Sequence, residues 1–270
     1  MPRRAVLSDE QRMALLALPD DETTLVQHWT LSEDDLAIIV RRRRPHNRLG
    51  FAIQLCALRY PGRLLRPGEL IPDTPLAFVA EQLQIAPEVL ADYATRGPTR
   101  YEQLDALREG FGFTQFSRPL RAALQEWLLP IALTTTSGAG LARSLLGECR
   151  RRRIIVPGIS SVERMVAQAL LDAERHVAEH LTRGLETGQR RLLDALLLPH
   201  AGTNLSGLGW VRQPPGKPGR KTFAVIIRRL ALLRDIGIDP DIAAGIHPER
   251  LRRLCQEGAR LTAQHVRTLQ

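Results

Sequence analysis

Apolar residues recur along this chain at the spacing of an α-helix, and the polar residues between the apolar runs carry helix start and stop signals. Ser8 to Gln11 form a capping-box pattern before MALLAL, and Ser32 to Asp35 form a second cap before LAIIV. Pro19 and Pro45 mark where these two predicted helices end. No stretch of useful length alternates apolar and polar residues as a strand does. The pattern therefore predicts an all-α protein built as a multi-helix bundle.

The helix predicted from about His46 to Tyr60 is apolar on nearly every side. Its apolar residues fall on two adjoining faces, with Leu49, Ala52, Ile53 and Cys56 on one and Phe51, Leu55 and Leu58 on the other. A helix of this kind is buried in a bundle. The apolar run from Leu49 to Leu58 is much shorter than the about 20 residues of a membrane span. We therefore predict a core helix and no membrane anchor.

Two domains are expected, since a chain of 270 residues exceeds the roughly 100–200 residues of one domain. We predict an N-terminal helical domain at 1–140 and a second helical domain at 150–270, with a basic loop rich in Gly and Pro at 199–222. Each is interpreted as a helical DNA-binding subdomain with a corner that resembles a helix-turn-helix.

The charge balance points to a polyanionic partner, because the net charge is +9 and the pI is about 10.5. Nearly all the basic residues are arginine, which forks onto phosphates and guanine edges. Codon usage in a GC-rich genome would also explain arginine in place of lysine, but it does not explain the net charge. The three cysteines stand far apart, which indicates a reducing compartment without a disulfide framework or zinc site.

Two basic segments are candidates for DNA contact. Arg41 to Arg44 end one predicted helix and His46 to Arg48 begin the next, where a helix-turn-helix faces DNA. The second segment is a loop followed by a helix with two further arginines. A solvated turn and a solvated linker are the respective alternatives. The predicted DNA contacts are Arg41, Arg42, Arg43, Arg44, His46, Asn47, Arg48, Arg59, Arg63, Lys217, Arg220, Lys221, Arg228 and Arg229.

Catalytic and metal-binding patterns are weak in this sequence. Most carboxylates stand at predicted helix starts, where capping explains them. His176 and His180 have a helical i, i+4 spacing, but no third ligand is evident. We predict no catalytic residue, no metal site and no cofactor in this chain.

Longer segments resemble a known family, the class II replicative transposases of the Tn-three group. The likeness covers essentially the whole chain and is most specific in NRLGFAIQLCALRYPGR. It continues in TLSEDDLAIIVRRRRPH, YATRGPTRYEQL, IIVPGISSVERMVAQAL and HPERLRRLCQEGARLTAQHV.

This resemblance implies DNA transposition, with binding of the double-stranded terminal inverted repeats of a transposon by helical subdomains of a dimeric transposase. It also implies that catalysis belongs to a magnesium-dependent, integrase-like domain far beyond position 270, so this chain is expected not to be an enzyme. The expected setting is the bacterial cytoplasm, at the nucleoid. In the alternative function, a truncated transposase regulates or competes with transposition by binding DNA ends, itself or full-length transposase.

Overall fold

The computed structural model describes residues 6–93 and 97–268, and the regular structure in these ranges is helical apart from isolated β-bridges. The α-helices are α1 Asp9–Leu16, α2 Glu22–Trp29, α3 Glu33–Val40, α4 Pro45–Arg59, α5 Asp73–Leu83, α6 Gly97–Phe111, α7 Arg118–Thr134, α8 Gly138–Arg151, α9 Ile159–Arg183, α10 Thr187–Ala195, α11 Gly207–Arg212, α12 Arg220–Ile236, α13 Pro248–Arg260 and α14 Ala263–Arg267. Short 3₁₀ helices lie at Pro87–Asp92 and Pro240–Ala243. The predicted all-α class is confirmed.

The chain forms two compact units that interleave along the sequence. The first unit comprises Met1–Ala132 and Ser137–Leu170, and the second comprises Leu133–Thr136 and Leu171–Gln270. The predicted domains at 1–140 and 150–270 are a different division, and they stay a prediction.

Helix α4 lies at the centre of the core of the first unit. Every residue from Leu49 to Leu58 is buried, so the prediction of a core helix is confirmed. Trp29 of α2 is also buried, and its Nε1–H donates a hydrogen bond to the Tyr60 carbonyl oxygen at 2.9 Å. Gln54 is a polar residue buried in this core, and its Oε1 accepts a hydrogen bond from the Leu65 N–H at 3.2 Å. The apolar residues thus bury the middle of α4, and the arginines at its two ends, Arg44 and Arg59, are accessible to solvent.

The second unit buries few of its apolar residues. Helix α12 is fully buried only at Ile236, and it leaves Phe223, Ile227 and Leu230 exposed. Glu249 at the start of α13 accepts hydrogen bonds from the Thr136 N–H at 3.0 Å and from its hydroxyl at 2.7 Å. In both units, no helix of the described residues is long and apolar enough to cross a membrane.

The region predicted as a loop at 199–222 contains helix α11 and the first residues of α12. Ser206 starts α11 by accepting a hydrogen bond from the Gly209 N–H at 3.0 Å. Stacking of Trp210 on His200, with ring centroids 4.2 Å apart, holds the short helix in place. The glycines and prolines of this segment therefore interrupt helices and do not produce one continuous loop.

Candidate nucleic-acid interface

The α3–α4 corner is held by an ion pair between the start of α3 and the end of α4. Ser32 caps α3, and Asp35, which is 2% exposed, accepts a hydrogen bond from the Ser32 N–H. Both Nη atoms of Arg59 bind the Asp35 carboxylate, at 2.7 and 2.8 Å. Burial alone would raise the pKa of Asp35, but these hydrogen bonds outweigh it, and the pKa lies below its ordinary value.

The turn between the two helices uses two of its arginines as structural groups. The guanidinium carbon of Arg42 lies 4.4 Å from the centroid of the Phe51 ring, which is a cation–π contact. The Arg48 Nε–H donates a hydrogen bond to the Arg42 carbonyl oxygen at 2.7 Å. Both side chains are half-buried, so part of the basic segment shapes the corner itself.

The remaining arginines of the turn point their charge at solvent. Arg41, Arg43 and Arg44 are exposed, and none has a carboxylate partner within the described residues. Arg44 is also the N-cap of α4 and makes no side-chain capping hydrogen bond, while Pro45 occupies the first helical position. The first turn of α4 contains no acidic residue, so the positive end of the helix dipole adds to these charges. His46 and Asn47 are half-exposed in this turn.

Arg59 and Arg63 have carboxylate partners and lie at the other end of α4. Arg63 binds both oxygens of Glu69, at 2.6 and 2.9 Å, and its Nε–H donates to the Leu16 carbonyl oxygen. The hydrogen bond from Arg63 holds the pKa of Glu69 below its ordinary value. DNA contact by Arg59 and Arg63 stays a prediction, and the structure gives both residues a role in stabilising the fold.

The second basic segment lies in the second unit, around the start of α12. Lys217, Arg220, Lys221 and Arg228 are exposed, and none forms an ion pair within the described part of the chain. Arg229 differs, because its guanidinium donates to the Gln213 carbonyl oxygen and lies 5.4 Å from the centroid of the Trp210 ring. It therefore ties α12 to the end of α11.

The arginine run at the end of α8 divides into separate roles that its sequence does not show. Arg151 and Arg152 both bind Glu148, at 2.6 Å. The Arg151 hydrogen bond is the main reason that the pKa of Glu148 falls to about 2. Arg153 donates to the Phe111 carbonyl oxygen, while Arg150 has no carboxylate partner among the described residues. Arg143 and Arg150 are seven residues apart on α8, which places them on the same face of the helix. This spacing is the sequence signal that could have distinguished Arg150 from the other arginines of the run.

Groups of side chains that could hold a metal ion are absent among residues 6–93 and 97–268. The Nε2–H of His180 donates a hydrogen bond to the Ala244 carbonyl oxygen at 3.0 Å. The three cysteines are unpaired, with Cys56 and Cys149 buried and Cys255 exposed.

The fold and its exposed cations define a class of protein, an all-helical protein with arginine-rich surfaces. Residues 6–169 match the family described as "Domain of unknown function (DUF4158)", and the chain belongs to this family.

Comparison with curated proteins gives a second finding. The chain is 38% identical over 262 residues to the transposase for transposon Tn21 of Escherichia coli, a match that covers 97% of this chain and 26% of that protein. It is 36% identical over 262 residues to the transposase for transposon Tn501 of Pseudomonas aeruginosa, covering 97% and 26%. The match to the transposase for transposon Tn1546 of Enterococcus faecium is 32% over 259 residues, covering 95% and 26%. The predicted resemblance to the Tn-three transposases is confirmed, and the chain spans about a quarter of these relatives.

Proposed function

We propose that this chain binds double-stranded DNA at the terminal inverted repeats of a transposon, as the DNA-recognition part of a transposase. The observation that supports this function is the α3–α4 corner, where Arg41, Arg43 and Arg44 are exposed beside the positive end of α4. The ion pair of Asp35 with Arg59 holds the two helices in a defined arrangement. A turn held between two fixed helices presents its charges to a phosphate backbone with less loss of backbone entropy than a free loop would.

Within this corner, phosphate contact and base reading fall to different side chains. The exposed arginines supply phosphate contacts, which confer affinity without sequence preference. Asn47, in the first turn of α4, has the amide that pairs with an adenine edge. Arg48 joins it as a base reader through its Nη groups, since the bond to the Arg42 carbonyl oxygen uses only Nε. Lys217, Arg220, Lys221 and Arg228 add phosphate contacts from the second unit.

The test compares DNA affinity, over a range of salt concentrations, for variants with equal charge changes. Arg41→Gln, Arg43→Gln and Arg44→Gln combined should lower the salt slope of log K by about 2 to 3. The control combines Arg118→Gln, Arg121→Gln and Arg164→Gln, which remove exposed arginines of the same unit. Asn47→Ala should cost about 1–3 kcal/mol of preference for the terminal repeat over a scrambled duplex. Equal losses in both triple variants, or equal affinity of the parent chain for scrambled DNA, would refute the proposal.

We also propose that strand transfer needs a part of the transposase outside these 270 residues. The chain matches 26% of the length of these transposases, which supports assigning strand transfer to another part of the transposase. The purified chain is expected to bind a transposon end and leave it uncut when Mg²⁺ is supplied. Nicking of the end by the chain alone would contradict it.

A further inference from the structure

A groove between α1 and α8, within the first unit, carries two arginines that the α3–α4 corner does not include. The groove has a volume of about 230 Å³, and Arg143, Arg150 and Tyr60 line it together with apolar residues of both helices. Arg143 and Arg150 stand seven residues apart on α8, with Leu146 between them on the same face. This volume holds several times the about 30 Å³ of one water molecule.

Arg150 is held in position without a counter-charge. Its guanidinium carbon lies 4.9 Å from the centroid of the Tyr60 ring, and its Nη1 is 3.4 Å from the Pro61 carbonyl oxygen. The Tyr60 ring also stacks on the His28 ring, with centroids 5.0 Å apart. Burial is the main reason that the pKa of Arg150 lies below its ordinary value.

The half-buried arginines of the first unit differ in whether a carboxylate neutralises them. Most of those that the structure describes contact a carboxylate, namely Arg12, Arg59, Arg63, Arg108 and Arg152. The half-buried arginines of this unit that lack a carboxylate, among the described residues, are Arg42, Arg48 and Arg150. Of these three, Arg42 lies on the Phe51 ring, and Arg48 binds the Arg42 carbonyl oxygen. A partly desolvated guanidinium without a carboxylate keeps a charge that an anion from outside the chain can neutralise.

We propose that the groove between α1 and α8 binds a phosphate group through Arg143 and Arg150. Seven residues of helix rise by about 10.5 Å, so the two side chains that line the groove start from well-separated points on α8. A tetrahedral phosphate offers oxygens in several directions and suits such a pair better than a planar carboxylate does. We name the DNA backbone as the source of this phosphate, and this choice rests on the proposed function. A free phosphate ion would offer the groove the same chemistry.

The experiment uses two groove variants and two matched controls in the whole chain. Arg143→Gln removes an exposed arginine, and Ala14→Glu adds a carboxylate at an exposed position of the groove wall on α1. Arg164→Gln and Ala122→Glu make the same charge changes at exposed positions of the first unit outside the groove. Circular dichroism and urea unfolding establish that all four variants fold.

In the first arm, the affinity for a terminal-repeat duplex is measured against salt concentration. Each groove variant should weaken binding by about tenfold and lower the salt slope by about 0.9, because one phosphate contact is lost. Each control should leave the slope unchanged.

In the second arm, inorganic phosphate is titrated while the Nε resonances of Arg143 and Arg150 are followed by NMR. Saturable shifts are expected in the parent chain and in Ala122→Glu, and they should vanish in Ala14→Glu.

The two arms separate failure of this site from failure of the proposed function. Phosphate shifts in a chain that binds no DNA would remove the DNA function and support a free phosphate in the groove. A second outcome combines saturable phosphate shifts with groove variants that bind DNA as tightly as their controls. It would likewise assign the groove to a free phosphate. Equal DNA affinities for groove and control variants, with no saturable shift on adding phosphate, would overturn the phosphate site.

Discussion

At the scale of single residues, the arginines of this chain divide by whether the protein itself neutralises them. Arg59 lies on the buried carboxylate of Asp35, and Arg63 lies on Glu69. Arg41, Arg43 and Arg44 have no such partner among the described residues and remain exposed. Identical side chains at the two ends of α4 therefore stabilise the fold in one case and leave their charge exposed in the other.

Removing the positive partner of a buried carboxylate is expected to destabilise the first unit. Arg59→Ala would leave Asp35, which is 2% exposed, without its counter-charge. We expect the free energy of unfolding to fall by about 2 kcal/mol, below the range for fully buried pairs because the Arg59 side chain is 30% exposed. Urea unfolding measures the change. Arg41→Ala is the control, with a change within about 0.5 kcal/mol, and equal losses in the two variants would contradict this reading.

Glu148 makes the stability of the first unit depend on pH in acid. Its pKa is about 2 in the folded chain, against a reference value of 4.5. Because the folded value is the lower one, the carboxylate stabilises the fold above about pH 4.5, and this contribution is lost as the pH falls toward 2. Urea unfolding at a series of pH values should show a steeper decline for the parent chain than for Glu148→Gln. Parallel declines would mean that Arg151 and Arg152 do not stabilise the folded carboxylate.

At the scale of elements, α4 connects the core to the candidate interface. Its middle is buried on all sides, its first turn follows the exposed arginines, and its last residue binds α3 through Asp35. The observed bounds, Pro45–Arg59, differ by one residue at each end from the predicted ones. Sequence patterns serve well here because a buried helix needs apolar residues on every face.

Two glycine substitutions are expected to have opposite effects on stability. A Cβ at Gly50 would lie 2.1 Å from the Tyr93 ring, whereas a Cβ at Gly147 of α8 would meet only the end of Arg150, at 3.9 Å. Gly147→Ala should stabilise the chain by about 0.5–1 kcal/mol through helix propensity. Gly50→Ala gains the same propensity but forces the ring away from α4, so a net loss of about 1–3 kcal/mol is expected.

Thermal and urea unfolding of these two variants provide the measurement. The identical chemistry of the exchange makes each variant the control for the other. Stabilisation by Gly50→Ala would show that Tyr93 does not pack closely on α4.

At the scale of the whole molecule, the two compact units differ in how much apolar surface they bury. The buried hydrophobic residues described in the second unit are Ala173, Val177, Ile236 and Ala263, whereas α4 alone contributes a longer buried run to the first unit. Few buried contacts leave backbone hydrogen bonds open to local unfolding.

Amide hydrogen exchange should therefore be faster in α12 than in α4. Helix α12 has one fully buried residue, and α4 is buried from Leu49 to Leu58. Mass spectrometry of the exchanged chain should show α12 exchanging at lower free energy of opening than α4. Equal protection of the two helices would mean that the exposed apolar residues of α12 are covered in solution.

The sequence by itself determined the helical class, the capped starts of α1 and α3, the burial of α4, the excess of positive charge and the family. These properties depend on residues that are neighbours in sequence or recur at a helical period, so short-range patterns contain them. Only the tertiary structure decided which arginines are neutralised, because Arg59 and Asp35 are 24 residues apart. It likewise decided that Arg150 shares a groove with Arg143 while Arg151 and Arg152 bind Glu148. The physical reason is that a charge is neutralised by whatever lies within a few ångströms of it, and folding alone sets those distances.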